Sequence, residues 1–233
     1  MTDPRQRLII ALDVSSAAAA QKIVAAVGDA AFTYKVGMQL YTAVGPSIVR
    51  DLIASGRRIF LDLKYHDIPN TVGKAVCEAA RLGVSMLTVH AAGGGRMLRA
   101  ATEAAAVNPA LQVLGVTVLT SMSDTDLEKI GVRGHTVDQV LRLAALAMAD
   151  GCHGIVASAR EAPALRQELG YDFAIVTPGV RPAGSTNLHD QVRVVTPAEA
   201  IAAGATHIVV GRPITEAADP GEEARAVLSQ IAA

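Results

Sequence analysis

Apolar residues along the chain gather into eight short runs, separated by alanine-rich stretches in which apolar positions recur every three or four residues. The runs lie at 8–14, 32–38, from Phe60 onward, then 86–91, 113–119, 154–158, 174–180 and 207–212. Strand-length runs alternating with helical patterns predict parallel strands joined by crossover helices. Ser15 and Ser16 can cap the first helix and Gly28 can end it; the second stops near Ser55 and Gly56. The third starts near Asn70 and Thr71, lines up Val72, Val76, Ala79 and Ala80 on one side, and stops at Gly83. A Gly93-Gly94-Gly95 turn precedes the fourth, which ends before Asn108-Pro109. A longer connection over 121–134 leads to a helix at about 137–150, and a last helix covers about 221–231.

Eight such units with no break in composition predict an α/β protein, a (β/α)8 TIM barrel filling residues 1–233 as a single domain. An open doubly wound sheet is the alternative. It usually presents a glycine-rich dinucleotide turn after its first strand, where Asp13-Val14-Ser15-Ser16 stands here.

Composition narrows the function classes. Lys+Arg 21 against Asp+Glu 22 gives a net charge of -1, with no electrostatic footprint for nucleic acid or an anionic membrane. Hydrophobic residues make up 51% but aromatics only 3%, so the core must be built from Ala, Val, Leu and Ile. The start carries no signal-peptide pattern and no apolar run is long enough to span a bilayer, which makes a cytoplasmic protein the expectation. Cys77 and Cys152 lack metal-ligand spacing and are expected to be buried helix-packing thiols.

The candidate chemistry lies in charges placed inside apolar strands. In the third run Asp62 and Lys64 are two residues apart, so alternation puts both on the face of Phe60, with Asp67 following at a Pro-containing turn. Taken alone, this stretch is equally a surface strand with a structural ion pair. The other strands change that balance. Asp13 ends strand 1, Lys35 lies within strand 2, His90 closes strand 4, Thr120 follows strand 5, Pro178 ends strand 7 and Arg212 ends strand 8. Polar groups converging at one end of a barrel define a site at its C-terminal face.

The alternation Lys35, Asp62, Lys64, Asp67 suggests a chain of opposite charges, each favouring its neighbour's ionised form. A lysine so held suits a proton donor rather than an imine-forming nucleophile. Gly211-Arg212-Pro213 can admit a phosphate to the backbone and clamp it with the guanidinium, or be a turn with a solvated Arg. The polar segment 181–187 is either a lid over a phosphorylated substrate or a surface loop. His90 and His66 are expected to be structural, and His135, His153, His189 and His207 carry no assigned role.

The residues Asp62-Leu-Lys64-Tyr-His-Asp67-Ile-Pro-Asn-Thr71 resemble the signature of the orotidine 5'-monophosphate decarboxylase family. Further blocks resemble it in order: Ala11-Leu-Asp13, Tyr34-Lys35-Val-Gly37, Val118-Leu-Thr120-Ser121, Thr177-Pro178-Gly-Val-Arg181-Pro182, Asp190-Gln191 and Gly211-Arg212-Pro213. The resemblance implies decarboxylation of orotidine 5'-monophosphate to uridine 5'-monophosphate, the last step of pyrimidine nucleotide synthesis, with no metal and no organic cofactor. Lys64 would protonate C6, Asp62 would face the substrate carboxylate, and Lys35 would join the network and contact ribose. Asp13 would hold a ribose hydroxyl, and Thr120 and Pro178 would contact the base and its surroundings. Gln191, Gly211, Arg212 and Arg181 would bind the 5'-phosphate. It also implies a homodimer in which Asp67, Ile68 and Thr71 reach the partner's site.

Two other readings compete. Related barrels acting on sugar phosphates share the Asp-x-Lys-x-x-Asp core but use a magnesium ion. The continuation from His66 to Thr71 and the block from Thr177 to Pro182 argue against them. A catalytically silent phosphate-binding barrel is the third reading, and the intact series of charges argues against that.

Overall fold

The computed structural model describes residues 3–182 and 195–232. Its strands are β1 (Leu8–Ala11), β2 (Thr33–Gly37), β3 (Arg58–Tyr65), β4 (Met86–His90), β5 (Gln112–Val116), β6 (Gly154–Val156), β7 (Ala174–Thr177) and β8 (His207–Val210). They pair in sequence order, all parallel, and β8 returns to β1 through Leu8↔Ile208, Ile9↔Val209 and Ile10↔Val210, closing the barrel. The expected (β/α)8 barrel is therefore the observed fold.

Around the strands run α1 (Ala17–Val27), α2 (Met38–Val44), α3 (Ser47–Ala54), α4 (Pro69–Arg81), α5 (Gly95–Ala105), α6 (Asp124–Lys129), α7 (Thr136–Ala149), α8 (Ala162–Leu169), α9 (Pro197–Ala202), α10 (Arg212–Thr215) and α11 (Pro220–Ala232). Local chemistry sets their starts. Ser16 accepts the Ala19 N–H at α1, and Ser123 with Asp126 forms a capping box at α6. Pro69 opens α4, where its missing N–H costs nothing. Gly83, one residue beyond Leu82, has φ +85°, a conformation that lets the chain turn back toward β4.

Strand alternation divides the core in two. Leu8, Ile10, Tyr34, Val36, Ile59 and Leu61 point outward into the layer between barrel and helices. Ile9, Ala11, Phe60, Met86, Leu114, Val176 and Val209 point inward and fill the barrel, so it is a packed core and not a pore. Above this layer β1, β2 and β3 present the polar groups Asp13, Lys35 and Asp62, and the layer around Phe60 forms the floor beneath them.

Apart from β3, the strands are shorter than the apolar runs. β1 ends at Ala11, β7 at Thr177 and β8 at Val210, so Asp13, Pro178 and Arg212 lie just beyond their ladders. Apolar residues continue past the ladders for two reasons: Val118 and Leu119 line the cavity above the barrel, whereas Leu12, Ala91 and Ala157 are buried in the outer core layer. Cys152 is buried, but in the turn between α7 and β6 and not on a helix; Cys77 is only half-buried, on α4.

Candidate active site

At the C-terminal ends of the strands lies a cavity of about 600 Å³. Asp13, Lys35, Asp62, Lys64, Thr120, Pro178, Arg181, Gly211 and Arg212 all line it. The charges form a continuous series. The Lys35 ammonium is 2.9 Å from Asp13 Oδ1 and 3.7 Å from Asp62 Oδ2, and Lys64 Nζ is 2.8 Å from Asp62 Oδ1. Asp62 and Lys35 are largely withdrawn from water, their side chains 13% and 12% exposed, whereas Asp13 is 54% exposed. Removing ions from water costs several kcal/mol each unless they are well paired. Alternation of sign along the row supplies that pairing.

Backbone geometry presents these groups. Gly37 of β2 pairs in register with Asp62 of β3, and a Cβ at Gly37 would stand 2.8 Å from Lys35 Nζ and 3.2 Å from Asp13 Oδ1. Glycine leaves the space in which the ammonium meets both carboxylates. In β3 the regular pleat breaks. Leu61 pairs with Leu87 and Tyr65 with Val89, so four steps along β3 oppose two along β4. Lys64 sits at φ 51°, the left-handed region, where a side chain is strained. Simple alternation expected one flat face carrying residues 60, 62 and 64; a bulge instead re-aims Asp62 and Lys64 above the Phe60 layer.

The series ends differently from the sequence expectation. Within the chain it runs to Asp13, and Asp67 does not join it. The Asp67 carboxylate accepts its neighbour Ile68's N–H at 2.6 Å and lies exposed, as do Thr71 and Ile68, the last at 66% exposure. None of the three lines the cavity. The turn from β3 into α4 points them outward. Gln191 lies outside the described residues, as does the 185–189 stretch.

Sequence reasoning passed over Gln39 and Glu216, which also line the cavity, and Thr88, which hydrogen-bonds to two of its groups. A hydroxyl between the apolar residues Leu87 and Val89 of β4, two residues before His90, was the available signal for Thr88. The His90 ring lies 5.3 Å from that of His66. Burial, then the nearby His66 and Lys64, lower its pKa, so it stands neutral beside the ammonium. Histidines given no role turn out to have partners. His153 Nδ1 accepts the Val113 N–H at 3.1 Å, and His135 meets the Asp124 carboxylate at 3.0 Å. Among the described residues no group of three or more His, Cys, Asp or Glu is placed to hold a metal ion.

Fold and site together define a class: (β/α)8 barrels whose rim carries a row of alternating ammonium and carboxylate groups around a cavity that also presents arginines. The sequence profile of the Orotidine 5'-phosphate decarboxylase / HUMPS family matches residues 6–227, and the chain belongs to that family. It is 51% identical over 228 residues to the orotidine 5'-phosphate decarboxylase of Nitrosococcus oceani, covering 97% of this chain and 98% of that protein. It is 50% identical over 234 residues to that of Moorella thermoacetica, covering 97% and 92%. Among solved structures, the Lactobacillus acidophilus orotidine 5'-phosphate decarboxylase superposes with a TM-score of 0.86 at 39% identity, covering 97% and 99% of the two chains. That of Pyrococcus horikoshii OT3 superposes at 0.80 with 26% identity, covering 97% and 99%.

Proposed function

We propose that this protein is an orotidine 5'-phosphate decarboxylase, a carboxy-lyase that converts orotidine 5'-monophosphate to uridine 5'-monophosphate and carbon dioxide in pyrimidine biosynthesis. The observation that carries the proposal is Lys64 Nζ, held 2.8 Å from Asp62 at the wall of the cavity in a family member about half identical to decarboxylases over nearly its full length.

The C6–carboxylate bond breaks, its electron pair stays on C6, and carbon dioxide leaves. The Lys64 ammonium stabilises that pair and transfers a proton to C6; the resulting amine regains a proton from solvent. A cation fixed before reaction meets the developing charge without reorganisation, the usual source of the largest electrostatic gain. Asp62 faces the departing carboxylate and anchors Lys64. Lys35 holds Asp62 and reaches the ribose, and Asp13 accepts from a ribose hydroxyl. Thr120 and Pro178 border the base. Gly211, Arg212 and Arg181, with Gln191, take the 5'-phosphate, whose distant binding energy orients the ring. The ammonium supplies the acid and the charge stabilisation, so the proposed reaction calls for no metal and no organic cofactor.

The functional unit is one barrel domain, paired as a homodimer in the cytoplasm. Asp67, Ile68 and Thr71, exposed and outside the chain's own cavity, would complete the site of the second copy. Sedimentation that finds a single chain at micromolar concentration with full activity would remove this part.

The test is to follow the absorbance of orotidine 5'-monophosphate with purified, chelator-treated protein. Conversion is expected; its absence in folded protein overturns the reading. Lys64→Ala is expected to lower kcat by at least about 10⁴-fold while uridine 5'-monophosphate still binds. Near-normal turnover would take Lys64 out of the donor role.

A further inference from the structure

Thr88 does not itself line the cavity, yet two of its hydrogen bonds end on residues that do. It is wholly buried in β4, on the inward face above Met86. Its Oγ1 accepts the backbone N–H of Lys64 at 2.9 Å and donates to Asp62 Oδ1 at 3.0 Å. A hydroxyl has one proton to give. With the amide N–H directed at its lone pair, that proton goes to the carboxylate. The same Oδ1 receives Lys64 Nζ at 2.8 Å, which leaves Oδ2 turned toward Lys35 at 3.7 Å.

We infer that Thr88 is a positioning residue for the decarboxylation, fixing the Lys64 backbone and the Asp62 carboxylate with one hydroxyl. The bulge removes Lys64 from the regular β3–β4 ladder, and a buried N–H without an acceptor is costly. Thr88 supplies the acceptor at the residue whose backbone is strained, where the surrounding structure must over-determine the conformation. It also selects which carboxylate oxygen faces which lysine. Freed of it, the Asp62 carboxylate can rotate and the Lys64 ammonium follows its partner.

The inference takes its chemistry from the decarboxylase reading, but its geometry stands independently, so the experiment has two arms. In the first, kcat and KM are measured for Thr88→Val and Thr88→Ser well below their unfolding temperatures. Val keeps the packing volume and removes the hydroxyl; Ser keeps the hydroxyl and removes a methyl. A packing role predicts that Val is benign and Ser harmful. Positioning predicts the reverse: kcat lowered about 10²-fold in Thr88→Val with KM within about threefold, and near-normal turnover in Thr88→Ser.

In the second arm, which needs no substrate, amide hydrogen exchange is followed in the peptide containing Lys64. It is expected to quicken in Thr88→Val and stay at the wild-type rate in Thr88→Ser. If Thr88→Val does not fold, Thr88→Ala serves in both arms. Wild-type kcat in a folded hydroxyl-free variant, or unchanged exchange at Lys64, overturns the inference. A wild-type protein without turnover overturns the decarboxylase reading instead, and the exchange arm still decides the geometry.

Discussion

Gly37 shows how much of the site rests on a residue with no side chain. Its φ of −94° is open to any amino acid, so the requirement for glycine comes from its neighbours: the space a Cβ would take holds the Lys35 ammonium. Nζ lies at the far end of a flexible chain and can move, so Gly37→Ala should fold with little change in thermal midpoint. It should also lose the contact between Lys35 and Asp13 and lower kcat/KM by about tenfold or more, read by paired calorimetry and steady-state kinetics. A large drop in midpoint with intact kcat/KM would show that the position serves packing. Individual charges were similarly legible as types and less so as partners. Asp13, Lys35, Asp62 and Lys64 stood out because apolar strands have no other use for them. Spacing alone did not show that the row continues to Asp13 and leaves out Asp67, since this depends on how the turn at residues 66–68 leaves β3; only the family resemblance directed Asp67 elsewhere.

Among the elements, strand order followed from the sequence because alternation is a local signal, while helix placement followed in part: α6 lies within the stretch 121–134 expected as a connection, and the helix expected after β2 is split into α2 and α3. Strand ends did not, because the apolar residues beyond the ladders serve core packing or the cavity and not pairing. The break in β3 was hidden for another reason. No glycine or proline marks it; Lys64 itself takes the left-handed conformation, held by a hydroxyl 24 residues further along the chain. A contact of that range leaves no trace in a window of a few residues. In such a window Thr88 carries the signal of any β-branched strand residue.

For the whole molecule, acid sensitivity is expected to arise away from the site, at the opposite end of the barrel. His207 opens β8, its Nδ1 lies 2.9 Å from Thr206 Oγ1, and burial, followed by the charges of Arg58 and Arg7, lowers its pKa to about 4. The unfolded chain takes up this proton near the ordinary value of 6.5, before the folded one does. Stability is thus fully present above about pH 6.5 and is lost as pH falls toward about 4. The loss is about 2 kcal/mol, once the part of the ring still in contact with water is discounted. Urea midpoints at pH 7 and pH 4.5 should differ less in His207→Gln than in wild type; equal differences would assign the acid sensitivity elsewhere.

The left-handed backbone of Lys64 has a consequence on an evolutionary scale. A residue other than glycine in that conformation gives up about 1 kcal/mol of folding stability, so the proposed proton donor occupies a position where the fold would favour no side chain. Lys64→Gly should therefore melt above Lys64→Ala, and a lower midpoint would refute the trade. Selection for heat resistance alone, in cells fed with a ready-made pyrimidine, would be expected to discard this lysine early. Its persistence in a lineage is then a record of demand for turnover.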